Sequence, residues 1–291
     1  MSSHDDLYFI DSNKSPDEET NSLVSLYQQV KDNWDQIPVK DLVSRSLIKE
    51  ANIADVIAFV STADNTQNLF RKAESNNQLH GSIWASIINN KAHQIEASCE
   101  IPNFELELID DLFLEHIRNL SQVPELVAEL PNIFLDVGII LIYEPTIKSS
   151  LIDGVVGKTI TGRPYIGMSL RHYRLDNFWF TLFHELGHIC LHLDYLETPI
   201  LDSEDFELTS EVEIEADIFA KSSLIPRSLW NRSPLKFGQY NNLSEVNKLA
   251  KQVGIHPAIV AGRIRKERDN YKIHSKLVTG FNTRSIVWGE N

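Results

Sequence analysis

The sequence predicts an α+β protein, with helices towards both ends and a small sheet between them. Three observations lead there. From Asn21 to Glu129, apolar residues recur at helix spacing, as in Leu23, Leu26, Tyr27 and Val30 or Ile83, Trp84, Ile87 and Ile88. From Asn132 the texture changes to short β-branched runs bounded by glycine and proline. Phe178 to Leu191 is then a run apolar on nearly every side of a helix, the mark of a buried helix.

Composition narrows the function classes. The chain has 291 residues, enough for a sizeable core and one or two domains. Its net charge of −14 argues against non-specific binding of the whole molecule to nucleic acid or an anionic membrane. Cys99 and Cys190 are its only cysteines, and no secretory leader is evident, so a reducing cytoplasm is expected. No apolar run approaches the roughly 20 residues that span a membrane.

Taken in order, residues 1–20 are polar and acidic and read as a disordered tail. Residues 21–130 read as a helical N-terminal domain without recognisable chemistry, in which His80 and Trp84 serve packing. Residues 131–235 read as the functional core. There Ile139–Tyr143 is a strand ending at Pro145, and Gly154–Ile160 with Tyr165–Leu170 forms a hairpin around Thr161–Pro164. An edge strand can take up an extended peptide by main-chain pairing, and Tyr165–Leu170 reads either as such an edge or as an interior strand without a ligand role. Residues 236–291 read as a C-terminal helical segment. Two helical patterns joined at Gly254 superficially resemble a helix-turn-helix, and residues 241–291 hold nine basic and four acidic side chains. A helical pair covering the core is the expectation there, and DNA contact is not.

The chemistry lies in His184-Glu185-Leu186-Gly187-His188, embedded in the apolar run. Two imidazoles and a carboxylate in a buried helix are costly unless something pairs with them. On a helix, His184 and His188 stand one turn apart, about 6 Å along the axis, so both rings can reach one ion. Zinc takes imidazole nitrogen at about 2.0–2.1 Å and keeps a position open for water in catalytic sites. Glu185 is placed to take a proton from that water. A motif with three fixed positions arises by chance in unrelated chains, and the greasy surroundings give it weight. Asp176 is the expected N-cap of this helix.

A third ligand is needed. Asp194 stands ten residues after His184, but the glycine that would turn the chain back seven residues after His184 is replaced by Leu191. His192 lies one turn beyond His188, and its side chain is expected to point past a shared metal, as a surface residue or one that supports a ligand from behind. Glu213 lies on a second predicted helix, Glu211–Ala220, where Ala216 is small enough for close packing on the first. Glu213 and Asp217 share one face, which suits a ligand and a carboxylate that orients His184.

These blocks carry a resemblance. His-Glu-Leu-Gly-His, then Glu213-Ile214-Glu215-Ala216-Asp217-Ile218-Phe219-Ala220 and Leu224-Ile225-Pro226, resembles the ImmA/IrrE family of zinc metallopeptidases. Gly162–Arg171, Asp176–Thr181 and Gly254–Arg263 are similar to it as well, so the likeness covers roughly residues 130–270. It implies a zincin-like core, with His184, His188 and Glu213 as zinc ligands and Glu185 as general base. Glu213 is preferred to Glu215 on the family's Glu-x-x-Ala-Asp spacing. It also implies a regulatory endopeptidase that cleaves one partner, a helix-turn-helix repressor or antitoxin-like protein, under stress or phage attack. No N-terminal helix-turn-helix is evident, which points to a partner encoded nearby. The alternative is a non-catalytic regulator, or a toxin–antitoxin component, that uses the same scaffold to bind its partner, or DNA through residues 243–270.

Two stretches near the motif remain. Asp194 to Ser210 holds six acidic residues and no basic one, and reads as a solvated loop or an acidic rim for a basic protein. Arg171, His172, Tyr173 and Arg174 precede the motif helix, and one of them is a candidate to stabilise an oxyanion.

Overall fold

The computed structural model describes residues 16–61, 75–147, 150–203 and 211–289. It is an α+β protein, with thirteen α-helices and one four-stranded sheet among the described residues. The chain divides into two compact units, and the division falls between Phe59 and Val60 rather than near residue 130.

The first unit is helical. It holds α1 (Pro16–Asp32), α2 (Val39–Ser44) and α3 (Ile53–Val60), the last running to the boundary. Leu26 and Val30, at the predicted spacing, are buried, as are Leu42 and Val56, whereas Leu23 and Tyr27 are exposed. The tail expected over residues 1–20 lies outside the described residues as far as 15, and its last five residues already belong to α1.

The second unit begins its described helices with α4 (Asn76–Ser98), capped by Ser75, whose hydroxyl accepts from the Gln78 amide. It continues through α5 (Asp111–Leu120) and α6 (Leu130–Leu135) into the sheet. The reason α4 belongs here is its packing. Trp84 is fully buried and its indole N–H donates to the carbonyl of Glu144 at 3.3 Å. Ile88 lies on the sheet so closely that a Cβ on Gly167 would fall 2.7 Å from its side chain. His80 is half-buried on the same helix.

The sheet is built from β1 (Ile140–Tyr143), β2 (Ile152–Lys158), β3 (Pro164–Met168) and β4 (Ile200–Ser203), in the order β1-β3-β2-β4. β2 and β3 form the predicted hairpin, closing at Lys158 opposite Pro164, with Gly162 at a φ of +86° in the turn. β1 runs parallel to β3, and β4 antiparallel to β2. The pairing decides two readings of the sequence. β3 is an interior strand, paired on both sides, so Tyr165–Leu170 offers no free edge to a peptide. The sheet's edge beside β2 is instead β4, which falls inside the stretch read as an acidic loop. Its Ile200 and Leu201 pack inwards between acidic neighbours, so the strand is too short for composition to reveal.

Successive residues of a strand face opposite sides. Val155 lies beside Gly167 on the α4 side, and Gly154 faces the other way, towards α7 (Leu175–His192). α8 (Glu211–Leu224) packs on α7, followed by α9 (Arg227–Arg232), α10 (Leu243–Val253), α11 (Pro257–Glu267), α12 (Ser275–Val278) and α13 (Thr283–Trp288). α10 and α11 meet at Gly254, at a φ of +81°. Ala258 to Arg265 of α11 are buried without a break, and α11 packs against α7. The helix that would enter a DNA groove is therefore committed to the core, as a helical pair covering that core requires.

Candidate metal centre

α7 is buried on almost every side. Leu175, Phe178, Trp179, Leu182, Phe183, Leu186 and Ile189 are each at most 2 % exposed, and the same helix buries His184, Glu185, His188 and His192. Its start differs from expectation. Arg174 is the N-cap, and Asp176 sits inside the first turn, buried. Arg174 donates to the two oxygens of Asp176 at 3.0 and 3.1 Å. The acid serves the positive helix end by its charge and is satisfied by the guanidinium, not by a capping amide.

α8 approaches α7 closely because both helices carry a small residue at the contact. A Cβ on Gly187 would lie 3.2 Å from the Ala216 Cα and 3.1 Å from Phe219 Cδ1. That approach brings Glu213 and Asp217, one turn apart, onto the histidines. His184 Nε2 is 3.1 Å from His188 Nε2 and 3.1 Å from Glu213 Oε2, and His188 Nε2 is 3.5 Å from Glu213 Oε1. His184, His188 and Glu213 are the group among the described residues that could hold a metal ion. Asp194 is exposed in the turn after α7 and takes no part.

The spacing suits an ion. A tetrahedral centre with bonds of about 2.0–2.1 Å sets its ligand atoms about 3.3–3.4 Å apart, and the three separations bracket that value. Two imidazole nitrogens and a carboxylate oxygen turned to one point need protons or a cation between them. The far nitrogens are held too. His184 Nδ1 lies 3.4 Å from Asp217 Oδ1, and His188 Nδ1 lies 3.2 Å from His192 Nδ1. Ligand histidines carry such supports, which fix ring and tautomer.

The electrostatics are those of a tightly paired polar pocket. Burial disfavours a charged His184, but the carboxylates of Asp217 and Glu213 outweigh it and raise the imidazole to about 11. Burial pushes Glu213 up, yet hydrogen bonds from His184 and His188 prevail and hold it at about 2. Asp217 is likewise driven below the carboxylate range, against burial, by His184, Lys266 and Lys221. Burial lowers His188. The protons that make these pairings are the ones a divalent ion displaces on binding.

Glu185 is fully buried, and neither carboxyl oxygen has a hydrogen-bond partner among the described residues. Burial pushes this carboxyl well above its usual range, and Asp202 adds to the shift. Such a group is tolerated where a nearby cation compensates it. Gly154 makes its room, since a Cβ there would lie 2.7 Å from Glu185 Cδ.

Several contributors escaped the sequence. Asp202, half-buried on β4, is pushed up to about 6 by burial, with His184 opposing and Asp153, Glu213 and Asp217 reinforcing. Gly154 carries no chemistry of its own, and only the hairpin placed it. His192 lies outside the ligand group, as expected, but is no surface residue: it is 3 % exposed, touches His188 and meets Glu215 Oε2 at 2.9 Å through Nε2. Its spacing, one turn from His188, was the available signal. Of the oxyanion candidates, Arg171 is engaged by Asp153 at 3.0 and 3.1 Å and Arg174 by Asp176, while His172 is half-buried and Tyr173 exposed. Of the acidic stretch, Asp194 and Glu197 are exposed, and residues 204–210 lie outside the described residues.

Residues 147–265 match the family model Peptidase_M78, described as an IrrE N-terminal-like domain. No curated protein and no solved structure matches the chain. The matched stretch holds the whole sheet except β1, both helices of the metal centre and most of α11, and over it the chain carries an IrrE N-terminal-like domain of the metallopeptidase-like Peptidase_M78 type.

Proposed function

We propose that this chain is a zinc-dependent endopeptidase that cleaves a specific regulatory partner protein in the cytoplasm. The observation that carries the reading is the convergence of His184, His188 and Glu213 beside a buried Glu185 whose oxygens have no partner among the described residues. His184 and His188 would bind through Nε2 and Glu213 through its carboxylate, with Asp217 orienting the first ring. Two nitrogens and one oxygen suit zinc, which leaves a fourth position for chemistry. When bound, the metal supplies a Lewis acid that lowers the pKa of water and polarises a carbonyl.

The chain's own groups do the rest. Glu185 accepts the proton of the attacking water on a carboxyl oxygen and passes it to the leaving amine. Its burial favours the protonated form, so the proton is held between the two steps. The apolar side chains around α7 exclude bulk water, which strengthens every charge in the site. β4 pairs with β2 alone among the described residues, and its outer edge would receive the partner's backbone in extended form.

The family likeness supports a helix-turn-helix repressor or antitoxin-like substrate encoded nearby, cut under stress or phage attack. The test is to incubate the purified chain with the product of a neighbouring gene. Wild type should cut it at one site, and neither chelator-treated protein nor Glu185→Gln should. Binding without cleavage by wild type, equal to that of Glu185→Gln, would replace the enzyme by a non-catalytic regulator.

A further inference from the structure

The two candidate ligand histidines are held from behind in different ways. His184 is backed directly by a carboxylate, Asp217. His188 is backed by a second histidine, and that histidine by a carboxylate. The path runs from His188 Nδ1 to His192 Nδ1 at 3.2 Å and from His192 Nε2 to Glu215 Oε2 at 2.9 Å. His188 is fully buried, His192 is 3 % exposed and the Glu215 side chain is about half exposed, so the path runs from the interior to solvent.

Proton placement along this path is forced. A neutral imidazole carries one N–H and one lone pair. His188 must present its lone pair at Nε2, the atom that faces His184 and Glu213, so its proton is on Nδ1. Nδ1–H then donates, and His192 Nδ1 must accept. The proton of His192 is left on Nε2, where Glu215 accepts it. Each atom on the path has one workable role, and a single reversal would set two N–H groups or two lone pairs against each other in a buried site.

We infer that His192 and Glu215 are positioning residues: together they fix the tautomer and ring angle of His188 and so tighten the metal centre. This rests on the metallopeptidase reading and adds a second support to it. Helix geometry supplies the arrangement. His184, His188 and His192 are successive turns of one face of α7, and Glu213 and Glu215 sit on the adjoining helix, so one helix–helix contact aligns both the ligand and the distal support. His192 does not touch the ion in this arrangement. Its contribution is passed through His188, and supports of this kind commonly alter metal affinity by about 10–100-fold.

The test uses the full chain and zinc alone. Zinc affinity would be measured by competition with a chromophoric chelator for wild type, His192→Phe, His192→Asn and Glu215→Ala. His192→Phe should weaken binding by about 10–100-fold. His192→Asn, which restores an acceptor near the Nδ1 position, should recover most of the loss, and Glu215→Ala should show a smaller loss. Nitrogen-15 NMR of the zinc-loaded wild type should place the protons on His188 Nδ1 and His192 Nε2, a readout that a purely structural role would not dictate and that stands if a variant fails to fold. Equal zinc affinity in His192→Phe, or a proton on His192 Nδ1, overturns the inference alone. A wild type that binds no zinc overturns the metallopeptidase reading and this inference with it.

Discussion

Two helix pairs of the second unit look alike in outline and differ in what they bury. α7 and α8 bury three imidazoles, a bare carboxyl and a paired one, and meet through Gly187 and Ala216. α10 and α11 pack on each other and bury Val246, Leu249, Ala250, Val253, Ile259 and Val260, with a glycine between them. The second pair is explained mainly by removing apolar surface from water, and its buried Arg263 is paired by Glu267 and by the Lys221 and Ile225 carbonyls. The first cannot be explained this way, because its buried polar groups cost free energy unless a cation compensates them. Within one compact unit, buried imidazoles and carboxyls turned to one point, rather than helical pairing, mark the functional region.

The comparison is broken most forcefully at Glu185. Glu185→Gln keeps the shape and removes the proton acceptor, so cleavage should fall by about 10²–10⁴-fold with metal content and melting temperature unchanged. If cleavage persists, α7 does not carry the proposed base. Leu249→Ala tests the other pair. It should destabilise the protein by about 2–5 kcal/mol in chemical denaturation, while the folded protein keeps its metal. Metal lost with that variant would show that the two pairs are not separable.

Gly187→Ala sharpens the contrast. The added methyl would press on Ala216 and Phe219, moving α8 outward at a cost of about 1–3 kcal/mol. Because Glu213 rides on α8, metal affinity should drop along with stability, unlike in Leu249→Ala. Smallest of all, Asn242→Ala removes the side chain that accepts from the Ser244 and Glu245 amides at the start of α10. It should cost about 1 kcal/mol, seen as a lower denaturation midpoint with no change in metal content.

The sequence read well wherever one physical cause acted locally. The buried helix, the hairpin at Gly162 and the helical pair at Gly254 each follow from periodicity and turn chemistry over a few residues. The ligand group was legible because helix spacing aligns His184 with His188 and Glu213 with Asp217. It read poorly where tertiary packing decides. β4 is four residues in an acidic stretch, and only its pairing with β2 makes it a strand. Gly154 matters only because Glu185 arrives from elsewhere, and His192 gains its role from Glu215 across a helix contact. The unit boundary at residue 59 was hidden because nothing in the apolar spacing of α4 says that it lies on the sheet.

The central claim is that α7 and α8 jointly hold one metal ion. Mass-spectrometric metal analysis of the purified full chain tests it most directly, for wild type and for Glu213→Ala checked for retained fold by circular dichroism. Wild type should carry about one zinc per chain, and folded Glu213→Ala should carry little. A wild type that takes up no zinc when supplied with it, or a Glu213→Ala variant as fully loaded as wild type, would contradict the account.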